Sequence, residues 1–468
     1  MMRFDLLVLG SGPAGQRAAI QGAKLGRRVG LCEQREVVGG VCLHTGTIPS
    51  KTLREAVLYL TGFTQRHLYG ASYSVKDRIT MQDLLFRCQH VIRQEVEVVR
   101  DQMRRNDVTV LYGTAAFVDA THVQITGERG NTVVEAERIL VATGTRPTVP
   151  RGVEVDHRTV ILSDDVLEMS VLPRSMTVVG AGVVGLEYAS MFAALGVRVT
   201  VIDKRPRLLD FLDAEIAEAL SYQMRGMKCT FRLGEEVARV VIERPGRAVA
   251  LLQSGKTISS ELLLCSAGRT GATVELNLGA AGLAADEQGR LAVDARHATP
   301  VPSIYAAGDV IGFPALASTS AEQGRRAACH ALGAPCPEKT GDFPYGIYAV
   351  PEISFVGKNE QELTAAGVPY EVGIARFKEI ARGVIHGDET GMLKIIFHRE
   401  DRRILGVHIL GTGATELVHI GQAVMAFGGT LDYFVEAVFN YPTFAECYKV
   451  AALDGFNKVG PAVARRAA

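Results

Sequence analysis

Apolar positions along the chain fall into short dense runs. The first, Leu6-Leu7-Val8-Leu9, stops at Gly10-Ser11-Gly12-Pro13-Ala14-Gly15. A run of this length closed by a glycine turn predicts a strand buried on both faces, with a helix after it. Met176 to Ile202 is nearly all apolar, interrupted by Glu187. That length approaches a membrane span, but Gly180, Gly182 and Gly185 cluster near its start and a carboxylate lies within it. Strand, turn, helix and strand account for these residues better than a transmembrane helix does. Further runs predict strands at Ile139–Gly144, which ends in a small-residue turn, Leu263–Arg269, Ile304–Asp309, Gly391–Phe397 and Ile404–Ile409, and a helical pattern covers Glu416–Phe427.

Two of these stretches are copies of one unit. Gly10, Gly12 and Gly15 align with Gly180, Gly182 and Gly185, and the alignment continues without a gap. Ala23, Leu25, Gly26, Arg28 and Val29 match Ala193, Leu195, Gly196, Arg198 and Val199; Glu33 then matches Asp203. A lone GxGxxG is weak evidence, but here each copy has a strand before it, a helix after it and an acid about twenty residues on. Glycines let the backbone approach a pyrophosphate, and the helix N-terminus stabilises its charge. The acid accepts a hydrogen bond from a ribose hydroxyl. The chain is therefore expected to hold two dinucleotides. Asp203 favours NAD, whereas Lys204 and Arg205, which follow it, favour the 2′-phosphate of NADP; the position carries features of both specificities.

Composition narrows the class. The chain has 468 residues, enough for two to four domains, with 47% hydrophobic and 22% charged residues, as in a soluble globular protein. Lys plus Arg equals Asp plus Glu at 51 each, Trp is absent and aromatics total 6%, so neither a basic nucleic-acid footprint nor a stacking platform is expected. No signal peptide is evident, and the eight cysteines form no CxxC pair, which fits a reducing cytoplasm and no metal site.

Residues Gly39 to Lys51 read Gly-Gly-Val-Cys-Leu-His-Thr-Gly-Thr-Ile-Pro-Ser-Lys. This resembles the redox-active helix of the flavoprotein disulfide reductases, the class-I pyridine nucleotide-disulfide oxidoreductases, with Cys42 at the first cysteine and Thr47 at the second. No disulfide forms without two sulfurs. Near the C-terminus, Tyr441-Pro442-Thr443-Phe444-Ala445-Glu446 resembles the family's His-Pro-Thr-x-x-Glu segment, with Tyr441 in place of the histidine. A phenol titrates near pH ~10 against about 6.5 for imidazole, so Tyr441 is a poor base at neutral pH. Both the sulfur and its base are missing, and both serve the same half-reaction.

The resemblance implies an α/β fold with two Rossmann-like domains and an α+β dimerisation domain. It places FAD in the first copy, against Gly10, Gly12, Pro13, Gly15, Glu33, Gly40, Cys42, Lys51, Ala115, Thr143, Gly144, Asp309 and Ala317. Asp309 is implied to hold the ribityl chain. NAD(P) is implied at Gly180, Gly182, Gly185, Glu187, Asp203, Lys204, Arg205 and Gly268. Lys51, Glu187 and Thr47 are the implied catalytic residues, with Lys51 beside the flavin and paired with Glu187. Cys42 is read as packing near the flavin rather than as a reactive thiol. The implied layout is nested: residues 1–150 and 272–335 bind FAD, 151–271 bind NAD(P), and 342–468 dimerise. A linker runs from Gly333 to Pro344, and Tyr348–Gly357 opens the last domain.

Gly46–Val57 and Phe439–Glu446, continuing to Asp454, further resemble the family's soluble, Si-specific transhydrogenase branch. This implies ping-pong hydride transfer from NADPH to NAD⁺ through FAD, in a homodimer or larger homo-oligomer, with neither membrane nor nucleic acid as partner. The alternatives are an NAD(P)H-dependent quinone or dye reductase on the same scaffold and a non-catalytic dinucleotide sensor.

Overall fold

A computed structural model describes residues 1–128, 130–337 and 342–459. Part of the expected linker, residues 338–341, and the last residues of the chain, 460–468, lie outside them.

The two copies fold as two parallel sheets of matching order. In the first, Thr109–Tyr112, Val29–Glu33, Met2–Leu9, Gly130–Val141 and Ile304–Ala306 lie side by side, all parallel. In the second the order is Thr230–Leu233, Arg198–Asp203, Ser175–Val179, Leu262–Cys265 and Val160–Leu162, again all parallel. Even the register repeats: Leu6 faces Val29, and the equivalent Met176 faces Val199. Each sheet carries an antiparallel meander. His122–Gly127 and Thr114–Phe117 continue from Gly130–Val141 in the first; Val237–Arg244, Arg247–Leu252 and Thr257–Ser260 stand beside the second. The chain leaves the first sheet, builds the second, and returns through Ile304–Ala306.

Parallel strands covered on both faces are predominantly apolar, and every residue of Val29–Glu33, its terminal carboxylate included, and of Leu262–Cys265 is buried. The helices differ. Pro13–Lys24 is amphipathic, whereas Val183–Ala194 is buried from Gly185 to its end. It lies between its own sheet and the helix Thr47–Thr61, so it has no face for solvent. Among the described residues no helix is long and apolar enough to cross a membrane.

The C-terminal region is an antiparallel sheet in the order Tyr345–Ile347, Ile353–Gly357, Ile404–Leu410, Met392–His398 and Tyr370–Arg376. Helices Ala414–Ala426 and Glu446–Val459 cover it. Its opening strand is Tyr345–Ile347, not Tyr348–Gly357. Tyr348 and Val350 instead donate their amides to Glu187 and Ser190 on the buried helix, which draws the backbone out of the ladder. The segment read as one redox helix is also divided, into Gly40–His44 and Thr47–Thr61, with a break at Thr45–Gly46.

A buried ion cluster joins the last region to the second sheet. The Lys394 ammonium, fully buried, reaches Asp213 at 2.9 Å and Glu215 at 3.1 Å, and also contacts Glu360. Asp213 caps the helix Ala214–Gly226, and Glu360 opens the helix Glu360–Ala365. The three carboxylates have the spacing of a cation site. The cation there is this lysine.

Candidate active site

Both glycine turns have one backbone. Gly10 and Gly180 share φ of +105°, which an L side chain rarely adopts. A Cβ on Gly15 would strike the Gly10 carbonyl, and one on Gly185 the Gly180 carbonyl. Around Gly12 and Gly182, which open the two helices, the space is clear. No side chain caps either helix, so their first amides are free for an anion.

The acids organise the turns. Glu33 accepts the Ser11 amide at 3.1 Å, the Arg35 amide at 2.9 Å and the Ser11 hydroxyl. Asp203 accepts the Ala181 amide at 2.6 Å and the Arg205 amide at 2.8 Å. The first carboxylate then stops, but the second also takes the guanidinium of Arg205, at 3.0 Å from Nε and 2.8 Å from Nη2.

A cavity of about 670 Å³ runs from the first turn to the C-terminal sheet. Its wall holds Gly10, Gly12, Pro13, Glu33, Gly40, Cys42, Thr47, Lys51, Ala115, Thr143, Gly144, Glu187, Asp309 and Ala317. Gly15 lies behind the turn. Gly180, Gly182, Gly185, Asp203, Lys204, Arg205 and Gly268 are also outside this wall, although Val183 and Val184 of the second helix reach it. The cavity size suits a cofactor. Thr143 Oγ1 is buried with no partner in the protein, and a Cβ on Gly40 would come within 2.8 Å of the Gly12 Cα. An orphaned hydroxyl and a groove closed to side chains both fit a bound dinucleotide. Asp309 accepts the Ser320 hydroxyl at 3.1 Å, and Gly324 lets the helix Ala317–Ala331 press against the Ala14 carbonyl. This close approach brings Ala317 to the cavity.

Lys51 and Glu187 meet although they are far apart in sequence. Lys51 Nζ donates to both Glu187 oxygens, at 2.9 and 2.7 Å. Glu187 is nearly fully buried, and its Oε1 also accepts the Tyr348 amide at 2.8 Å. The ammonium lies 4.8 Å from the centre of the Tyr348 ring. A buried carboxylate needs such pairing, and the pairing in turn fixes the ammonium on the cavity wall.

Thiol chemistry finds no support at this wall. Burial pushes the Cys42 thiol up, and Asp309 adds to the effect; Thr47 and Lys51 oppose it without reversing it. Cys42 thus stays a neutral thiol beside a threonine. Tyr441 is 75% exposed in the single chain. Its segment is anchored by Phe444 on Phe377, with ring centres 4.7 Å apart, while Glu446 accepts the Thr443 amide at 3.2 Å.

Sequence reasoning left many wall residues unnamed, and three of them hold the site together. Tyr348 positions Glu187. Arg269 bridges Asp164 at 3.2 Å and Thr145 at 2.9 Å, and Thr45 donates to the same Asp164 at 3.2 Å. Arg269 directly follows the predicted Gly268 and was within reach of the motif. Asp164 sits in the short 3₁₀ helix Ser163–Glu168, which carries no spacing signal for the site.

Comparison with known proteins gives a consistent result. The family model described as pyridine nucleotide-disulphide oxidoreductase matches residues 4–324, and the corresponding dimerisation-domain model matches 343–452. A soluble pyridine nucleotide transhydrogenase of Mycobacterium bovis (strain BCG / Pasteur 1173P2) is 56% identical, covering 98% of each chain. One from Pseudomonas savastanoi pv. phaseolicola is 46% identical over 97% of this chain and 99% of its own. Among solved structures, the Cu(II) complex of the HOCl-induced flavoprotein disulfide reductase RclA from Escherichia coli aligns with a TM-score of 0.87 at 26% identity, covering 98% of this chain and 100% of that one.

Proposed function

The chain belongs to the pyridine nucleotide-disulphide oxidoreductase family, and from that premise we propose that it transfers hydride from NADPH to NAD⁺ through bound FAD. One nicotinamide site serves both nucleotides in turn. The observation that carries this reading is the intact Lys51–Glu187 pair, with its carboxylate buried, beside a Cys42–Thr47 position that cannot form a disulfide. The names and high identities of the transhydrogenase relatives support it independently.

FAD, when bound, supplies the acceptor and donor of hydride. The residues that would hold it are the first turn, Glu33, Thr143 and Asp309. Lys51 provides a fixed positive charge at the reacting end, where preorganised charge is worth most. Glu187 and Tyr348 hold that ammonium in place. Cys42, kept protonated by burial, takes no part in electron transfer. The second turn binds the nicotinamide dinucleotide.

The same reading assigns residues 1–150 and 272–335 to FAD, 151–271 to NAD(P) and 342–468 to a homodimer contact, the last supported by the dimerisation-domain match. It places the protein in the cytoplasm, supported by eight cysteines that are all free. The test is steady-state turnover of NADPH with thio-NAD⁺. Reduction of thio-NAD⁺ with parallel double-reciprocal plots is expected. No turnover would refute the reading, and turnover of a quinone alone would favour a quinone reductase.

A further inference from the structure

Asp203 has no hydrogen-bonding capacity left. An ionised carboxylate offers about four lone-pair positions. Oδ1 accepts the Arg205 amide and Nε; Oδ2 accepts the Ala181 amide and Arg205 Nη2. A ribose 2′-hydroxyl can bond this carboxylate only if Arg205 releases it. The first turn is the internal control. Glu33 Oε2 takes the Ser11 amide and hydroxyl, while Oε1 takes the Arg35 amide, with no guanidinium on either oxygen. Its fourth position is open to a ribose.

The opposite ligand meets the opposite situation. A 2′-phosphate is repelled by a bare Asp203, but Arg205 neutralises that charge and keeps donors in reserve. A guanidinium has five N–H groups, of which Asp203 engages two. The rest belong to a side chain that is 37% exposed, next to the exposed Lys204.

We propose that Arg205 is the specificity switch of the second turn: paired with Asp203 it receives a 2′-phosphorylated dinucleotide, and swung away it frees Asp203 for a dinucleotide with a 2′-hydroxyl. The proposal rests on the reading that one site accepts both nucleotides. An isolated acid favours NAD and an isolated base favours NADP; a side chain with two positions serves both, at a cost in affinity for the form that must displace it.

The test titrates FAD-loaded protein with 5′-AMP and with 2′,5′-ADP by calorimetry, which needs no hydride transfer. Arg205→Met removes the fork but keeps the stem. It should tighten 5′-AMP several-fold and weaken 2′,5′-ADP by about tenfold or more, the scale of a lost charge-assisted contact. Asp203→Asn should do the reverse, weakening 5′-AMP and sparing 2′,5′-ADP. Arg205→Lys, the milder change, should give intermediate values and serves if Arg205→Met does not fold. Equal weakening of both ligands, or no change in either, would overturn the switch. If binding shifts as stated but no hydride passes from NADPH to NAD⁺, the transhydrogenase reading fails and the switch stands.

Discussion

The two glycine turns share strand register, φ angles and acid-to-amide bonds, yet their surroundings differ. The first ends in Glu33 with an open position and a helix that shows a polar face. The second ends in Asp203 under a guanidinium, and its helix is buried almost all round. At the site of Glu187 the first helix has Arg17, a surface residue. On the reading proposed above, the shared backbone serves dinucleotide binding in general, and side chains at a few matched positions decide which dinucleotide is held and whether it reacts. The glycine turn is present twice, whereas the carboxylate that pairs with Lys51 is present only in the second copy.

Breaking the turns one at a time should have the largest effect. Gly15→Val and Gly185→Val each drive a side chain into a backbone carbonyl that cannot yield. Gly15→Val should lose FAD on gel filtration. Gly185→Val should keep FAD, with nicotinamide binding weakened roughly a hundredfold, as expected for about 3 kcal/mol of overpacking. Loss of FAD from Gly185→Val would mean that the turns are not independent.

Removing the charge that Glu187 of the second copy holds should come next. Lys51→Met should retain FAD, and its reduction by NADPH, followed by stopped-flow absorbance, should slow on the order of 10²-fold. A change under threefold would remove Lys51 from the mechanism. Thr47→Cys sharpens the same point from the other side. It restores the sulfur but not the base that Tyr441 replaces, so lipoamide reductase activity should stay near background. Appreciable activity would show that the missing sulfur alone separates this chain from a disulfide reductase.

The smallest effect concerns Cys42. Alkylation requires the thiolate, and burial raises this thiol, so its reaction profile shifts to higher pH. Its rate with iodoacetamide should still climb above pH ~9, past the pKa of about 8.5 of a free thiol. A plateau near neutral pH would indicate an activated cysteine.

The repeat was legible because it rests on local physics. Glycines with positive φ, helix starts and dense apolar strands leave marks at fixed spacing, and these marks located the core strands of both sheets and the two glycine turns. Lys51 and Glu187 were legible only through the family motif, since nothing local predicts that residues so far apart will pair. Tyr348, Asp164 and Arg269 depend on how the last region and the two sheets close upon one another, which no window of sequence contains. The same holds for the break at Thr45–Gly46 and for Tyr348 leaving its strand, where tertiary bonds to Asp164 and Glu187 override the local pattern. The cover over Asp203 was half visible: the sequence contained both charges, but only the structure shows that they occupy each other.

Separating the two half-reactions shows whether one nicotinamide site serves both nucleotides. Protein with bound FAD is reduced anaerobically by NADPH, freed of NADP⁺ by rapid gel filtration, and then given NAD⁺ alone. Hydride entering and leaving by one nicotinamide site predicts NADH in amounts approaching the bound FAD, with the flavin reoxidised. Formation of NADH only when NADPH and NAD⁺ are present together would contradict that account.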